Sequence, residues 1–317
     1  LAHPALLVHH RYRDHTGNLI HGPIRRALAR TGLYVGPMPE LPEVETVRRQ
    51  LEPLITGSRI VDAGAHPSAR FCDAVEARGH RISRVDRRGK YLLMGLAPCD
   101  EAGDGTAGTH SAERELVMHL GMTGGVHVGR TLPDDPYTRA WWSLDDDRFL
   151  VFRDIRRFGR IAVVARGEHS SLPPLHRLGP EPFDPTLDAA TFHAALAVSR
   201  RRIKTNLLSQ RPIAGLGNIY ADESLWRAGI NPSARRIGPE RAGRLLQAIR
   251  DVLTESLAND GTTLRDYRTP AGSTGRNQDR LDCYGRGGEP CHLCGAVLVS
   301  RSIDQRTATW CPVCQAH

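Results

Sequence analysis

"CHLCGAVLVSRSIDQRTATWCPVC", Cys291 to Cys314, opens and closes on a Cys-x2-Cys pair, with sixteen residues between the pairs. Four thiolates at this spacing suit a tetrahedral Zn²⁺. Between the pairs, "AVLVSR" and "RTATW" read as two strands joined near Ile303–Gln305, a hairpin clipped by metal. Cys291, Cys294, Cys311 and Cys314 leave no open coordination position, so the expected cofactor is one structural Zn²⁺. Arg306 stands near the hairpin tip, where a basic side chain is either solvated or set to meet phosphate. The other three cysteines, Cys72, Cys99 and Cys283, are scattered, and the total of seven is odd. Ligand spacing without a disulfide pattern points to a reducing compartment.

The 317-residue chain carries a net charge of +8, which favours a polyanionic partner. Of its 43 basic residues 41 are Arg; only Lys90 and Lys204 are Lys. GC-rich coding accounts for the bias, and two lysines kept against it suggest work that needs a compact ammonium. Residues 1–37 are rich in His and Arg, and without them the net charge falls to +4. No apolar run is long enough for a membrane span, and "PALLV" is too short for a signal-peptide core.

From Pro42 the apolar positions Val44, Val47, Leu51 and Leu54 step by three and four, as in a helix with proline in its first turn. Six β-like runs follow: "RISRV", "KYLLMGL", "ELVMHLGM", "GGVHVG", "RAWWSL" and "RFLVFRD". Turn material such as "PCDEAGDGTAG" and "LPDDP" separates them, which predicts an antiparallel sandwich. Ser170–Pro185 is Pro-rich and reads as a linker. Beyond it Ala242, Leu245, Leu246, Ile249, Val252, Leu253 and Leu257 mark a helix between Pro239 and Gly261, and Thr269 to Asn277 is loop-like.

Four further stretches carry chemistry. In "IAGLGNIYADESLW", Gly215 and Gly217 permit close backbone approach, and Asn218 is expected to cap a helix through Trp226. Such a turn presents N–H groups to an anion, although a plain capped helix has the same pattern. "DIRRFGR" offers Arg156, Arg157 and Phe158 for phosphate contact and stacking, or a solvated pair beside a core Phe. In "HLGMTG", Met122 is a wedge for a base stack or a core side chain. Finally, "MPELPEVE" places Pro39 after Met38. Were Met38 the initiator and removed, Pro39 would have a free amine, partly neutral near pH 7 and nucleophilic, with Glu40 and Glu43 beside it.

In this order these stretches, with "RRGKYLL", "LGPEP", "IKTNLLSQ" and "YGRGGEPC", resemble the formamidopyrimidine-DNA glycosylase family from Met38 to the C-terminus. The resemblance implies an α+β protein. An N-terminal antiparallel β-sandwich with a catalytic N-terminal helix would occupy residues 38–169. A linker at 170–187, a helix–two-turn–helix DNA-binding domain at 188–282 and a zinc hairpin at 283–317 would follow, with 1–37 outside the fold. It also implies a monomeric, cytoplasmic, nucleoid-associated enzyme of bacterial base-excision repair. The partner would be double-stranded DNA with oxidised bases or abasic sites, and no membrane. Pro39 would attack C1′ of a flipped nucleotide, Glu40 would manage protons, and β,δ-elimination would cut the strand.

By the same resemblance Lys90 lies near the lesion. Met122, Arg156 and Phe158, with Arg157 beside them, fill the gap left by the flipped base. Lys204, Asn218, Tyr284 and Arg306 touch DNA, and Arg306 joins Pro39, Glu40 and Lys90 at the reaction centre. Two departures stand out. Thirty-seven residues precede Met38 and would block the nucleophile, so translation from Met38 or removal of the arm is expected. Where the family often has Gly-Tyr-Phe, this chain has Gly275-Arg276-Asn277, which turns the expectation from 8-oxoguanine towards formamidopyrimidines, oxidised pyrimidines or abasic sites. The alternatives are a non-catalytic DNA-binding protein on the same scaffold with a blocked Pro39, and an unrelated zinc-ribbon transcription factor.

Overall fold

The computed structural model describes residues 38–99, 113–263, 270, 272 and 275–316. Helix α1 (Leu41–Ile55) has Pro42 in its first turn, and Glu43 accepts the backbone N–H of Glu40 at 2.8 Å. Val44, Val47 and Leu51 are buried as the periodicity predicts. Leu54 is not: it is 39% exposed, and Ile55 is buried in its place. At about 100° per residue, Ile55 falls nearer the centre of the stripe.

Eight strands follow α1: β1 (Ile60–Ala65), β2 (His80–Arg88), β3 (Tyr91–Pro98), β4 (Arg114–His119), β5 (Gly124–Gly129), β6 (Thr138–Leu144), β7 (Phe149–Asp154) and β8 (Arg160–Ala165). They form two antiparallel sheets of order β1-β6-β7-β5 and β2-β3-β4-β8. All six expected strands are present. The two additional ones, β1 and β8, pair at sheet edges, with β6 and β4, so non-local pairing rather than local pattern makes them strands. The sandwich core holds Phe71, Trp142, Phe152 and the apolar face of α1.

The Pro-rich stretch is packed rather than free. It contains the short helix α2 (Pro173–His176), and Leu172 and Leu175 cover Leu93, Val117 and Ala162 on the outer face of the second sheet. Helices α3 (Ala189–Ala197), α4 (Ile203–Leu208), α5 (Asn218–Arg227) and α6 (Pro239–Ala258) build a second core around Phe192, Leu216, Tyr220 and Leu245. Strands β9 (Val299–Ile303) and β10 (Arg306–Trp310) form the C-terminal hairpin. Residues 1–37, most of the turn expected at 98–108, and residues 269, 271, 273 and 274 of the expected loop lie outside the described residues. Among the described residues no helix is long and apolar enough to cross a membrane.

Candidate active site

Helix α1 starts where the two cores meet. Leu41 belongs to the helical core, whereas Val44, Val47 and Leu51 belong to the sandwich core. The Leu41 N–H donates to the Gly215 carbonyl at 3.1 Å. Gly215 has φ +88°, and a Cβ there would sit 2.5 Å from Leu41 Cδ1. The glycine turn before α5 is therefore a seat for the start of α1.

That seat decides where Glu40 goes. Its carboxylate accepts N–H groups from Gly217 at 2.5 Å, Ile219 at 2.8 Å and Tyr220 at 3.4 Å. The helix terminus does hold an anion, and the anion is the protein's own Glu40. Asn218 is not the cap: Gly217 is, and Asn218 is the first helical residue. Pro39 is buried immediately before Glu40. Lys90, in the β2–β3 turn, is buried on the other side of the same space. A Cβ at Gly217 would lie 2.5 Å from Glu40 Oε1 and 2.6 Å from Lys90 Nζ, so the missing side chain keeps the two groups in one cavity.

Burial dominates the electrostatics here. It raises Glu40 to about 7, against the pull of the Lys90 charge and the backbone N–H donors, while the nearby Glu43 raises it further. Burial also pulls the Lys90 ammonium down, opposed by Glu40 and Glu43 and reinforced by Arg306. Arg306, exposed at the start of β10, thus reaches the same field from the hairpin. His119 at the end of β4 is lowered to about 4 by burial and by Lys90, so it is neutral near pH 7. A carboxyl near 7 beside a depressed lysine suits proton transfer in either direction.

Glu43, and acids the sequence reading passed over, hold these groups in place. Glu43 accepts from Glu40 N at 2.8 Å, Thr262 N at 2.7 Å and the Tyr220 hydroxyl. Glu181, in "LGPEP", accepts Gly89 N at 2.7 Å and pairs with Arg87 and Arg88, clamping the turn that carries Lys90. Asp154 is fully buried and accepts from Thr123 Oγ1 at 2.5 Å and Gly159 N at 2.7 Å. It binds the loop of Met122 to the loop of Arg156, Arg157 and Phe158. Gly121 fits against Phe158 and Gly159 with no room for a Cβ, which would meet Gly159 N at 2.4 Å. On this paired surface Met122 is half-buried and Phe158 is 46% exposed under the Arg156 guanidinium, 4.8 Å from its ring centroid. Arg157 is exposed and has φ +57°. Buried acids at element ends give no periodic signal; only the fixed motifs around them could have drawn attention to them.

Lys204 departs from the expected DNA contact. It is fully buried, 2.7 Å from Asp222, and donates to the Thr307 carbonyl at 2.6 Å. Asn218 Nδ2 donates to the same carbonyl at 3.1 Å, and Asp222 accepts Thr309 N at 3.0 Å. The compact ammonium therefore serves to pin the hairpin to α5. Glu223 grips the entry to the hairpin module, accepting N–H groups from Asp282, Cys283 and Tyr284, and the Tyr284 side chain packs against the helical core.

The ligand sulfurs of Cys291, Cys294, Cys311 and Cys314 all lie within 4.8 Å of one another. A Zn–S bond of about 2.3 Å requires sulfurs about 3.8 Å apart, so the set fits one tetrahedral Zn²⁺. The Trp226 indole N–H donates to Cys291 Sγ at 3.4 Å, tying the metal centre to α5.

Known proteins share this fold and this order of domains. Profiles for the "Formamidopyrimidine-DNA glycosylase N-terminal domain", its "H2TH domain" and the "Zinc finger found in FPG and IleRS" match residues 38–161, 178–268 and 288–316. The formamidopyrimidine-DNA glycosylase of Thermus thermophilus is 45% identical over 284 residues, 88% of this chain and 99% of the relative. That of Deinococcus radiodurans is 42% identical over 88% of this chain and 97% of its own. The crystal structure of Thermus thermophilus MutM (Fpg) superposes with a TM-score of 0.77 at 44% identity, covering 88% of this chain and 99% of that one. Lactococcus lactis Fpg in complex with abasic-site DNA superposes at 0.74 and 32% identity, covering 88% and 100%. Matched by three family models along its length and by relatives covered almost end to end, the chain belongs to the formamidopyrimidine-DNA glycosylase family.

Proposed function

We propose that the chain, once it begins at Pro39, is a bifunctional DNA glycosylase and abasic-site lyase. The substrate is duplex DNA holding an oxidised base, formamidopyrimidines foremost, or an abasic site. The free Pro39 amine attacks C1′, the base leaves with a proton, and the sugar opens to an iminium on the proline nitrogen. Loss of a C2′ proton then expels the 3′ phosphate, and a second elimination expels the 5′ phosphate. Glu40 is the acid and base at the sugar, and the Lys90 cation stabilises developing negative charge beside it. Arg156, Arg157, Phe158 and Met122 face the gap in the stack, while Asn218, Tyr284 and Arg306 face phosphates. Lys204 takes no part at the DNA. The protein works as a monomer.

The observation that carries this reading is the burial of Glu40 beside Pro39 and Lys90, at a pKa of about 7. In the full chain, however, Pro39 is bonded to the Met38 carbonyl, and an amide nitrogen is not a nucleophile. That bond is also what favours the second reading, a binding-only protein. The N-terminal family model begins at residue 38, and 88% of this chain matches the relatives almost end to end, which supports Met38 as the working start.

Borohydride trapping separates the readings. A chain beginning at Pro39 is expected to crosslink to an abasic or formamidopyrimidine duplex, and one beginning at Leu1 is not. No crosslink from either, with intact duplex binding, would establish the binding-only protein.

A further inference from the structure

We propose that Asn277 is a positioning residue for the reactive end of α1, acting through Thr262, Tyr220 and Glu43. The proposal rests on the reading of Pro39 and Glu40 given above.

The segment after the α6 loop is stapled to the end of α6. Asn277 N donates to the Gly261 carbonyl at 3.1 Å, Arg276 N to the Asn259 carbonyl at 2.9 Å and Gly275 N to Thr263 Oγ1 at 2.8 Å. Gly275 passes so close that a Cβ would meet the Gly261 oxygen at 2.2 Å. This fixes the Asn277 side chain, which is buried and donates from Nδ2 to Thr262 Oγ1 at 3.0 Å.

From there the protons have one direction. The amide NH2 can only donate, so the Thr262 hydroxyl turns its own proton to the Tyr220 oxygen, 3.0 Å away. The Ser256 hydroxyl, at 2.6 Å, donates to the same oxygen. Tyr220 has one proton, and it goes to Glu43. Glu43 in turn holds Glu40 N. Asn277, Thr262, Tyr220, Glu43 and Glu40 are all buried, so each bond acts without competing water. The phenylalanine often found at this point in the family has no side-chain donor, so the first link belongs to the Asn277 of this chain.

Burial raises Glu43, and the bonds from Thr262, Tyr220 and Glu40 oppose that rise and favour its charged form, which repels a proton-free Glu40. The other groups acting at that cavity are Lys90 from the β2–β3 turn, the N–H groups of α5 and the Lys204 ammonium of α4. Arg306 of the hairpin and His119 of β4 face Lys90. Breaking the link lets Glu43 take up a proton more readily, so Glu40 loses its proton at lower pH.

The test is single-turnover nicking of an abasic duplex across pH by the chain beginning at Pro39. Asn277→Ala, Thr262→Val and Tyr220→Phe are each compared with the unmodified protein, and Asn277→Ala/Thr262→Val closes a double-mutant cycle. Each single variant is expected to slow nicking on the order of tenfold and to move the Glu40 limb to lower pH. The double variant is expected to be no slower than the slower single, because both cut one chain. Tyr220→Phe keeps the ring in the core and serves if the other variants unfold early. An unmoved pH limb in variants with normal thermal unfolding, or multiplying effects in the double variant, overturns the proposal. Absence of borohydride trapping in the unmodified protein would instead sink the reading of Pro39 on which it rests.

Discussion

Gly217 donates its N–H to Glu40 across 177 residues of chain at 2.5 Å, and its missing side chain is the space between Glu40 and Lys90. The reactive groups of the sandwich are thus set by a backbone atom of the helical domain. Gly217→Ala puts a methyl where Oε1 and Nζ now face each other. Nicking of an abasic duplex is expected to fall about a hundredfold or more, since small displacements at a reacting centre cost that much. Duplex affinity should change little, and a gel-shift titration beside the nicking assay checks both.

Glu40 also sets a pH dependence of stability. Its folded pKa, about 7, lies above the ordinary value of 4.5, so the folded state holds the proton more tightly. The associated stability is present in full below about 4.5 and is lost as pH rises through 7. Glu40→Gln removes the titration. Relative to the unmodified protein the variant should gain stability over that window, by a few kcal/mol at most, on the order of 3. Denaturant unfolding at pH 4.5 and pH 8 checks the sign; a gap that narrows with rising pH would contradict it.

Lys204 and Asp222 form a fully buried ion pair under the hairpin. Lys204→Met leaves an uncompensated carboxylate and is expected to cost about 3–5 kcal/mol. Lys204→Met/Asp222→Leu should recover much of that loss. Thermal unfolding of the three proteins tests the pairing. A lysine at the DNA surface would instead lower affinity with no loss of stability.

Removing the metal should release the hairpin. Without Zn²⁺ the four thiolates repel, the link from Trp226 to Cys291 goes, and Arg306 leaves the field of Lys90. Chelation is expected to abolish nicking and to melt the hairpin before the sandwich. Zn²⁺ but not Mg²⁺ should restore both, as followed by nicking and amide hydrogen exchange.

Glu181 clamps the Lys90 turn through Gly89 N, Arg87 and Arg88. Glu181→Ala frees that turn and leaves Arg88 without its carboxylate, while Arg87 keeps only Glu45, 3.1 Å away. The turnover rate should fall about tenfold, with DNA affinity within about a factor of three. A proportional loss of affinity would place Glu181 outside the reaction's support.

How much of this was legible in the sequence depends on the range of each signal. The cysteine spacing, the periodicity of α1 and α6 and six strands are local patterns, and they were read correctly. Leu54, β1 and β8 were not, because their state depends on what packs against them. Pro39, Glu40 and Lys90 were singled out from motif and chemistry, and the structure gathers them in one place. Asp154, Glu181, Asp222 and Glu223 were passed over, since a buried acid is defined by distant N–H groups it accepts.

The sequence by itself determined two long helices, six of the sandwich strands in order, the metal set and the family, because short spacings and fixed motifs encode them along the chain. The tertiary structure alone decided that the α5 terminus holds Glu40, that Lys204 is a buried pin and that Asn277 connects to Glu43. Each of these rests on contacts between residues far apart in sequence. Its energy comes from excluding water around charges and donors that no local pattern brings together.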